Sequence, residues 1–315
     1  SLIRAAAVFL FVPMRIKKIQ YLLFCLVCAG CTTDIQIPIP ETDAQLVLVG
    51  SFSPDAPIQV RVSTLQTVQD TLAPDFPLDA TVLLYADDNY VDQLELALDS
   101  VSSQWMYQSS VKPVQGVRYR VVVRAPGYPE LWAADALPPS GPAPVFVVDT
   151  ANIEKTATDW TFQVQAQLPA SNNHRWYMFG LAGVVGIYEQ INDTWELQAY
   201  QEWPLLVNPN PGTSGYVYLA ANYFALVQED FWSKSEDRTL SMTVEMPFLS
   251  EPVRPHAVIL VWRSISEAGY RFYSSVNRQG DYDSPIGSPD AVYNNVIGGW
   301  GNFSGYVEVR DTVYF

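Results

Sequence analysis

The side chains that could do covalent chemistry are few, and the cysteines are the most informative of them. All three cysteines, Cys25, Cys28 and Cys31, lie near the amino terminus, and the rest of the 315-residue chain has none. An exported protein without cysteine in its folded part has no disulfide available there, so these thiols need another role. Acylation of Cys31 supplies such a role, because several acyl chains attach a protein durably to a membrane.

The segment before Cys31 has the layout of a secretory signal. Basic residues at positions 15–18 precede an apolar run at 21–27, and two small residues stand directly before the cysteine. The run is shorter than the roughly 20 residues that a membrane-spanning helix needs. Leu26-Val27-Cys28-Ala29-Gly30-Cys31 resembles the bacterial lipobox, and departs from it only at its third position, where leucine is usual. We expect residues 1–30 to be an upstream extension and a lipoprotein signal peptide, and Cys31 to carry the lipid.

Metal-binding and catalytic signatures are weak in the rest of the chain. The two histidines, His174 and His256, are far apart, whereas transition-metal sites need clustered nitrogen or sulfur ligands. No Gly-x-Ser-x-Gly nucleophile motif is present. Asp281, Asp283 and Asp290 offer oxygen ligands for calcium, but the glycine and distal glutamate of a helix-loop-helix site are missing, which favours an ordinary acidic loop. The sequence therefore predicts no catalytic residue and no cofactor.

Paired carboxylates leave one enzymatic alternative open. A glycosidase needs only two carboxyl groups placed across a sugar, and the chain has 33 acidic residues from which a fold could assemble such a pair. Solvated acids on the polar faces of strands are the commoner explanation. A glycan hydrolase and a structural or adhesive envelope protein therefore stand as alternatives to a binding protein.

The charge balance excludes some classes of partner. The chain has 18 basic and 33 acidic side chains, a formal net charge of −15, and four of the basic residues precede Cys31. Such an acidic surface repels phosphate backbones and anionic headgroups, so nucleic-acid binding is not expected and the lipid must hold the protein to the membrane. The aromatic content of 13% suits sheet cores and also contact with a glycan or peptide ligand.

Residues 44–137 follow a short tether at 31–43 and show the alternation of half-buried strands. Apolar residues at 117, 119, 121 and 123 alternate with arginines, and two apolar runs flank the turn signal Asp87-Asp88-Asn89. That arrangement predicts a hairpin of strands 80–85 and 91–96. About seven short strands predict an immunoglobulin-like β-sandwich.

A second all-β domain is expected at 145–315. Residues 138–144 contain four prolines, which cannot donate backbone hydrogen bonds to a sheet, so they are predicted to be the linker. Beyond them, period-two alternation returns at 160–167 and 240–246. The continuous apolar run 257–262 predicts a strand covered on both faces.

Helices and tight turns are signalled at few places in this second part. Ser264 and Glu267 fit a capping box, and Gly280 lies where the helix would stop, which predicts a helix over about 265–279. A second helix is expected at 223–234. The glycine cluster 298–301 leads into a predicted strand at 306–315, which favours a turn or bulge over a phosphate-binding loop.

Several motifs together resemble one family of lipoproteins. They are Leu46-Val47-Leu48-Val49-Gly50, Ala80-Thr81-Val82, Gly116-Val117-Arg118-Tyr119, Ala125-Pro126-Gly127-Tyr128, Ala136-Leu137-Pro138, the late helix with Tyr270 and Tyr273, and the closing segment Tyr293 to Phe303. They resemble the outer-membrane lipoproteins of the domain of unknown function 4249 family. The resemblance implies an outer-membrane lipoprotein, often encoded near a TonB-dependent transporter, with no established reaction.

We therefore expect a non-catalytic accessory or ligand-binding lipoprotein, anchored through Cys31 and associated with an outer-membrane transporter. Thr32 and Thr33 follow the cysteine, so an inner-membrane retention aspartate is absent at the next position, and Asp34 resembles the acidic start of surface-export signals. These residues predict the outer membrane with the folded part facing outward; a periplasm-facing orientation is the alternative.

Overall fold

The computed structural model describes the part of the chain that follows the predicted tether, with gaps. The described residues are 44–66, 75–99, 103–141, 143–156, 159–168, 176–210, 217–219, 223–227, 238–247, 253–280 and 291–315. Their regular elements are strands apart from one helix, which confirms the all-β class. Among them, no helix has the length and apolar character needed to cross a membrane.

The strands are numbered in chain order. Those before residue 137 are β1 (Leu46–Phe52), β2 (Gln59–Thr64), β3 (Thr81–Ala86), β4 (Asn89–Gln93), β5 (Glu95–Leu98), β6 (Trp105–Gln108), β7 (Arg118–Arg124) and β8 (Leu131–Ala136). The next group is β9 (Val145–Val148), β10 (Glu154–Lys155), β11 (Asp159–Gln167), β12 (Tyr177–Ile191), β13 (Thr194–Leu205), β14 (Val207–Pro209), β15 (Val217–Leu219) and β16 (Ala225–Val227). The last elements are β17 (Thr239–Pro247), β18 (Val253–Ile265), the helix α1 (Glu267–Gly280), β19 (Val296–Ile297) and β20 (Trp300–Tyr314).

Three sheets form from these strands. A ten-stranded sheet has the order β15-β16-β12-β18-β20-β1-β2-β6-β5, with β13 paired to β12 beside this path. A five-stranded sheet has the order β10-β11-β17-β14, with β9 also on β11, and another has the order β19-β8-β7-β3-β4. The ten-stranded sheet therefore runs through both halves of the described chain.

Each five-stranded sheet packs on a different part of the ten-stranded sheet. The first core combines β1 and β2 with β3, β7 and β8, and at its centre Phe52 stacks on Phe303 with ring centroids 4.7 Å apart. The second core combines β12 and β18 with β11 and β17, and it surrounds the buried Trp262. The molecule thus has two β-sandwiches that share one sheet, which confirms the predicted sandwich architecture.

Strand β20 serves both sandwiches. Its first half pairs in parallel with β1, from Trp300 to Gly305, and its second half pairs antiparallel with β18, from Tyr306 to Tyr314. It begins before the predicted start at residue 306. Residues 44–315 form one compact unit. The predicted separation of two domains at 138–144 stays a prediction about independent folding.

The alternation read from the sequence is confirmed in β7, where Tyr119, Val121 and Val123 are buried. The hairpin is also confirmed: Asp87 and Asp88 have φ of 46° and 66°, as a two-residue type I′ turn requires. Its second strand was predicted at 91–96 but lies at 89–93, and β5, which follows it, belongs to a different sheet.

The first predicted helix is confirmed, but its cap is a different serine. Ser264 is still in β18, paired with Val307, and the hydroxyl of Ser266 accepts the hydrogen bond from the Gly269 amide at the helix start. The prediction of a second helix at 223–234 is wrong for the part of that segment that the structure describes. Residues 225–227 are the fully buried strand β16, and 228–234 lie outside the described residues.

The glycine cluster 298–301 forms a turn into β20, as predicted. Gly298 has a φ of 81° and Gly301 a φ of 127°. A Cβ at Gly301 would lie 1.9 Å from the carbonyl oxygen of Leu48, so only glycine lets β20 approach β1 this closely.

Candidate functional site

A depression on the outward face of the ten-stranded sheet is the strongest candidate site; we call it the sheet cavity. It has a volume of about 300 Å³ and lies over β12, β13, β18 and β20. Its lining residues are Gly180, Leu181, Ala182, Glu202, Pro204, Tyr223, Phe224, Val261, Arg263 and Arg310.

Small residues on β12 create the floor of the sheet cavity. Gly180 pairs with Val261 on one side, and Ala182 pairs with Pro204 on the other. A Cβ at Gly180 would approach the ring of Phe224 to 3.0 Å. The floor is therefore low because two neighbouring outward positions of β12 carry almost no side chain, and the longer side chains of adjacent strands stand around them.

Arg263 is the most firmly held polar residue at the cavity. Its guanidinium lies 4.0 Å from the ring centroid of Phe224 and 4.6 Å from that of Tyr306. Its Nε donates to Oε2 of Glu308 at 2.7 Å, and the two side chains are only 25% and 17% exposed. Two cation-π contacts and a charge-assisted hydrogen bond fix the arginine in one orientation.

A chain of charges continues from Arg263 across the sheet. Arg310 Nε donates to the other oxygen of Glu308 at 2.9 Å, and Arg310 Nη1 reaches Glu202 on β13 with 3.3 Å to each carboxylate oxygen. Because β18 and β12 lie between β20 and β13, this last contact spans the cavity floor.

The pKa of Glu308 reflects this arrangement. Burial alone would raise the pKa of its carboxyl, but the hydrogen bonds and positive charges of Arg310 and Arg263 outweigh burial and lower it below its ordinary value. The hydrogen bond from Arg310 to Glu308 in turn raises the pKa of Arg310. Glu308 is therefore ionised at neutral pH and acts as the fixed anchor of two guanidinium groups.

The aromatic wall of the sheet cavity is supported by the helix. Phe224 and Tyr306 pack with Tyr270 and Tyr273 of α1, and burial raises the pKa of Tyr273. Tyr223, which lines the cavity, has a φ of 66°, an unusual backbone conformation for a bulky residue. Such strain clusters at functional sites and supports this choice of site.

The residues singled out from the sequence lie elsewhere. Cys31, the calcium candidates Asp281, Asp283 and Asp290, and His174 all lie outside the described residues. His256 is on β18 between the rings of Tyr200 and Tyr314, with centroids at 4.5 and 5.4 Å. In the described ranges, no group of three or more histidine, cysteine, aspartate or glutamate residues could hold a metal ion.

The sequence carries signals for the sheet cavity that are not among the predicted site residues. Gly180 and Ala182 are small residues at alternate positions of one strand, and small residues in a strand often mark a place where another group approaches closely. Arg263 breaks an apolar run directly after Trp262. The contact of Arg310 with Glu202 has no local signal, because it depends on the strand order.

One described carboxyl outside the cavity has a raised pKa. Burial raises the pKa of Asp135, on β8, although the hydroxyl of Ser266 and the amide of Gly305 oppose that shift by hydrogen bonding to it. These partners belong to the start of α1 and to β20. Asp135 therefore joins three elements and does not line the sheet cavity.

The fold and the site define an all-β protein with a small open cavity on the face of a shared sheet. The chain belongs to the family described as Domain of unknown function (DUF4249), whose model matches residues 32–312. No curated protein matches the chain.

Among solved structures, the apo structure of Bacteroides uniformis beta-glucuronidase 3 is similar over 70% of this chain, at 13% identity and a TM-score of 0.19. The chain spans only 23% of the length of that structure's chain. A TM-score this low carries no argument about the fold or the activity of the present protein.

Proposed function

We propose that this chain is a non-catalytic, ligand-binding lipoprotein of the outer membrane, anchored through Cys31, whose ligand binds in the sheet cavity. The observation that carries the proposal is the fixed position of Arg263 beside an open cavity. Its guanidinium is held by Phe224, Tyr306 and Glu308 before any ligand arrives. A preorganised polar group beside apolar walls is typical of small-ligand sites.

The charges at the cavity favour binding over hydrolysis. A glycosidase needs a carboxylic acid whose raised pKa keeps it protonated until it donates its proton. The pKa of Glu308 is lowered instead, by two arginines that keep it ionised. Asp135 does have a raised pKa, but its oxygens accept hydrogen bonds within the fold and it lies away from the cavity.

The location and the partner are supported by the family and by the sequence. The match to the family begins at residue 32, directly after the predicted lipid-bearing Cys31. The resemblance to outer-membrane lipoproteins supports a role beside a TonB-dependent transporter. In that role the sheet cavity would capture a glycan or peptide for the transporter, with the folded part facing outward.

Purified protein screened against glycans and peptides tests the function. We expect saturable binding without turnover. Turnover of a glycan would favour the hydrolase alternative, and neither binding nor turnover would favour a structural or adhesive role. Anchoring is tested separately: Cys31→Ala should no longer incorporate labelled palmitate in cells, and unchanged labelling would contradict the lipid attachment.

A further inference from the structure

We propose that the sheet cavity recognises a carboxylate through Arg310, and that Glu202 occupies the place of that carboxylate in the free protein. The inference rests on the proposed ligand-binding function and specifies the chemical class of its ligand.

Arg310 is oriented for this task by Glu308. The hydrogen bond from its Nε to Glu308 fixes the base of the guanidinium, while Nη1 points over the cavity floor toward Glu202. The planar fork of an arginine matches a carboxylate with two parallel hydrogen bonds. An arginine that is fixed at Nε and half exposed can turn its terminal nitrogens from Glu202 to such a ligand.

The contact between Arg310 and Glu202 is weak by comparison with its neighbour. Both Glu202 oxygens lie 3.3 Å from a single nitrogen, and the two side chains are 44% and 50% exposed. The Arg263 to Glu308 contact is 2.7 Å and largely buried. Exposed ion pairs contribute little to stability, so a ligand carboxylate with better geometry can displace Glu202.

The local charge also favours an anion. Glu308 is a single negative charge shared by two guanidinium groups, Arg263 and Arg310. One positive charge is therefore left over, and Glu202 balances it only at the longer distance. With Glu202 the four charges sum to zero; when Glu202 turns away, the two guanidinium groups outnumber Glu308 by one, which sets the cavity apart from a chain whose net charge is −15.

The walls decide which carboxylates fit. Tyr223 and Phe224 offer an aromatic surface beside the charge, which suits the apolar face of a sugar or a hydrophobic side chain. A uronic acid and the carboxyl terminus of a peptide share this chemistry. One probe of each source distinguishes the two.

Calorimetric titration provides the test, with D-glucuronate and the acid form of N-acetyl-Phe-Ala as probes. D-Glucose and the amide form of the same dipeptide are the neutral counterparts. We expect at least one acid to bind and its neutral counterpart not to bind. Which acid binds identifies the source of the carboxylate.

The decisive variant is Glu202→Gln. If Glu202 competes with the ligand, removing its charge should raise the affinity for the acid by about two- to fivefold. Arg310→Gln should abolish binding, and Arg310→Lys, which keeps the charge without the fork, should weaken it. Glu130→Gln is the matched control, because it removes one negative charge from the exposed Arg124 pair on another sheet and should leave the affinity unchanged.

Any of four results would overturn the inference. The first three are no binding of either acid to the wild type or to Glu202→Gln, equal binding of acid and neutral probes, and an affinity that Glu202→Gln leaves unchanged or lowers. An equal gain in Glu130→Gln would assign the effect to net charge and also overturn it. A neutral ligand that binds in the cavity would leave the proposed function standing while this inference fails.

Discussion

Glu308 is the residue on which the two arginines of the sheet cavity depend. Its carboxylate accepts a hydrogen bond from Nε of Arg263 and another from Nε of Arg310. The Glu308 side chain is mostly buried. Removing its charge leaves two guanidinium groups without their anchor. We expect Glu308→Gln to lower the free energy of unfolding at neutral pH by about 1.5 to 3 kcal/mol, the range for hydrogen bonds to charged groups.

The effect of Glu308→Gln should depend on pH. The arginines lower the pKa of Glu308 in the folded state, so its stabilisation is complete above the ordinary pKa of 4.5 and is lost as the pH falls through the folded value. Urea unfolding of wild type and variant at pH 7 and pH 3 measures this. The difference between them should shrink at pH 3; an equal difference at both values would contradict the role of Glu308.

Single residues of the cavity were only partly predictable from the sequence. Val307 and Val309 alternate with Glu308 and Arg310, so the polar face of β20 is visible in the sequence itself. The contact of Arg310 with Glu202 is not, because the two residues lie 108 positions apart and meet across two intervening strands. The sequence pattern indicates on which face of the sheet a side chain lies. The order of the strands determines which residue it contacts there.

At the scale of elements, the parallel pairing of β1 with β20 depends on Gly301. A Cβ there would lie 1.9 Å from the Leu48 carbonyl oxygen, so an alanine must push the two strands apart. We expect Gly301→Ala to lower the free energy of unfolding by more than about 4 kcal/mol.

Gly116→Ala is the matched control for this prediction. Gly116 also has a positive φ, 81°, but its Cβ would meet nothing within 4 Å. Gly116→Ala should therefore lower the free energy of unfolding only by the conformational penalty of a left-handed alanine, about 1 to 2 kcal/mol. Urea unfolding of both variants decides the matter, and equal losses would show that strand approach at Gly301 is not the cause.

Local signals predicted elements well where the turn chemistry was specific. The Asp87-Asp88 turn placed its hairpin correctly, and Asn192-Asp193, with φ of 51° and 63°, offered an equally good signal for the hairpin of β12 and β13. The segment 223–234 was predicted as a helix, and the strict alternation that marks a half-buried strand is absent at 225–227, which form the strand β16. Burial of all three residues of β16 removes that alternation from a strand.

At the scale of the whole molecule, the two sandwiches are linked by β20. The segment 44–137 supplies most of the first core, but Phe303 also packs there, against Phe52. We expect residues 44–137 alone to keep β structure and to unfold at a lower urea concentration than the full chain. Deleting residues 304–315 should make the second sandwich insoluble, because β18 then loses β20, one of its two partner strands.

Circular dichroism of the 44–137 fragment checks the first expectation, and the soluble fraction of the truncated chain checks the second. A disordered fragment together with a fully folded truncated chain would contradict the domain division at 138–144. The proline-rich segment lies between Leu137 of the first core and Phe146 of the second, and the division into two domains stays a prediction. The crossing of the last strand between the two cores was not foreseeable, because a parallel pairing over about 250 residues leaves no local pattern.

Ligand binding in the sheet cavity is tested most directly by a glycan and peptide array probed with three proteins. They are the wild type, Ala182→Phe, which fills the cavity floor, and Ala134→Phe, which places the same side chain in a cavity of about 260 Å³ on another sheet. The wild type and Ala134→Phe should bind the same array members, and Ala182→Phe should bind them at least about tenfold more weakly. Unchanged binding by Ala182→Phe would contradict the assignment of the sheet cavity as the ligand site.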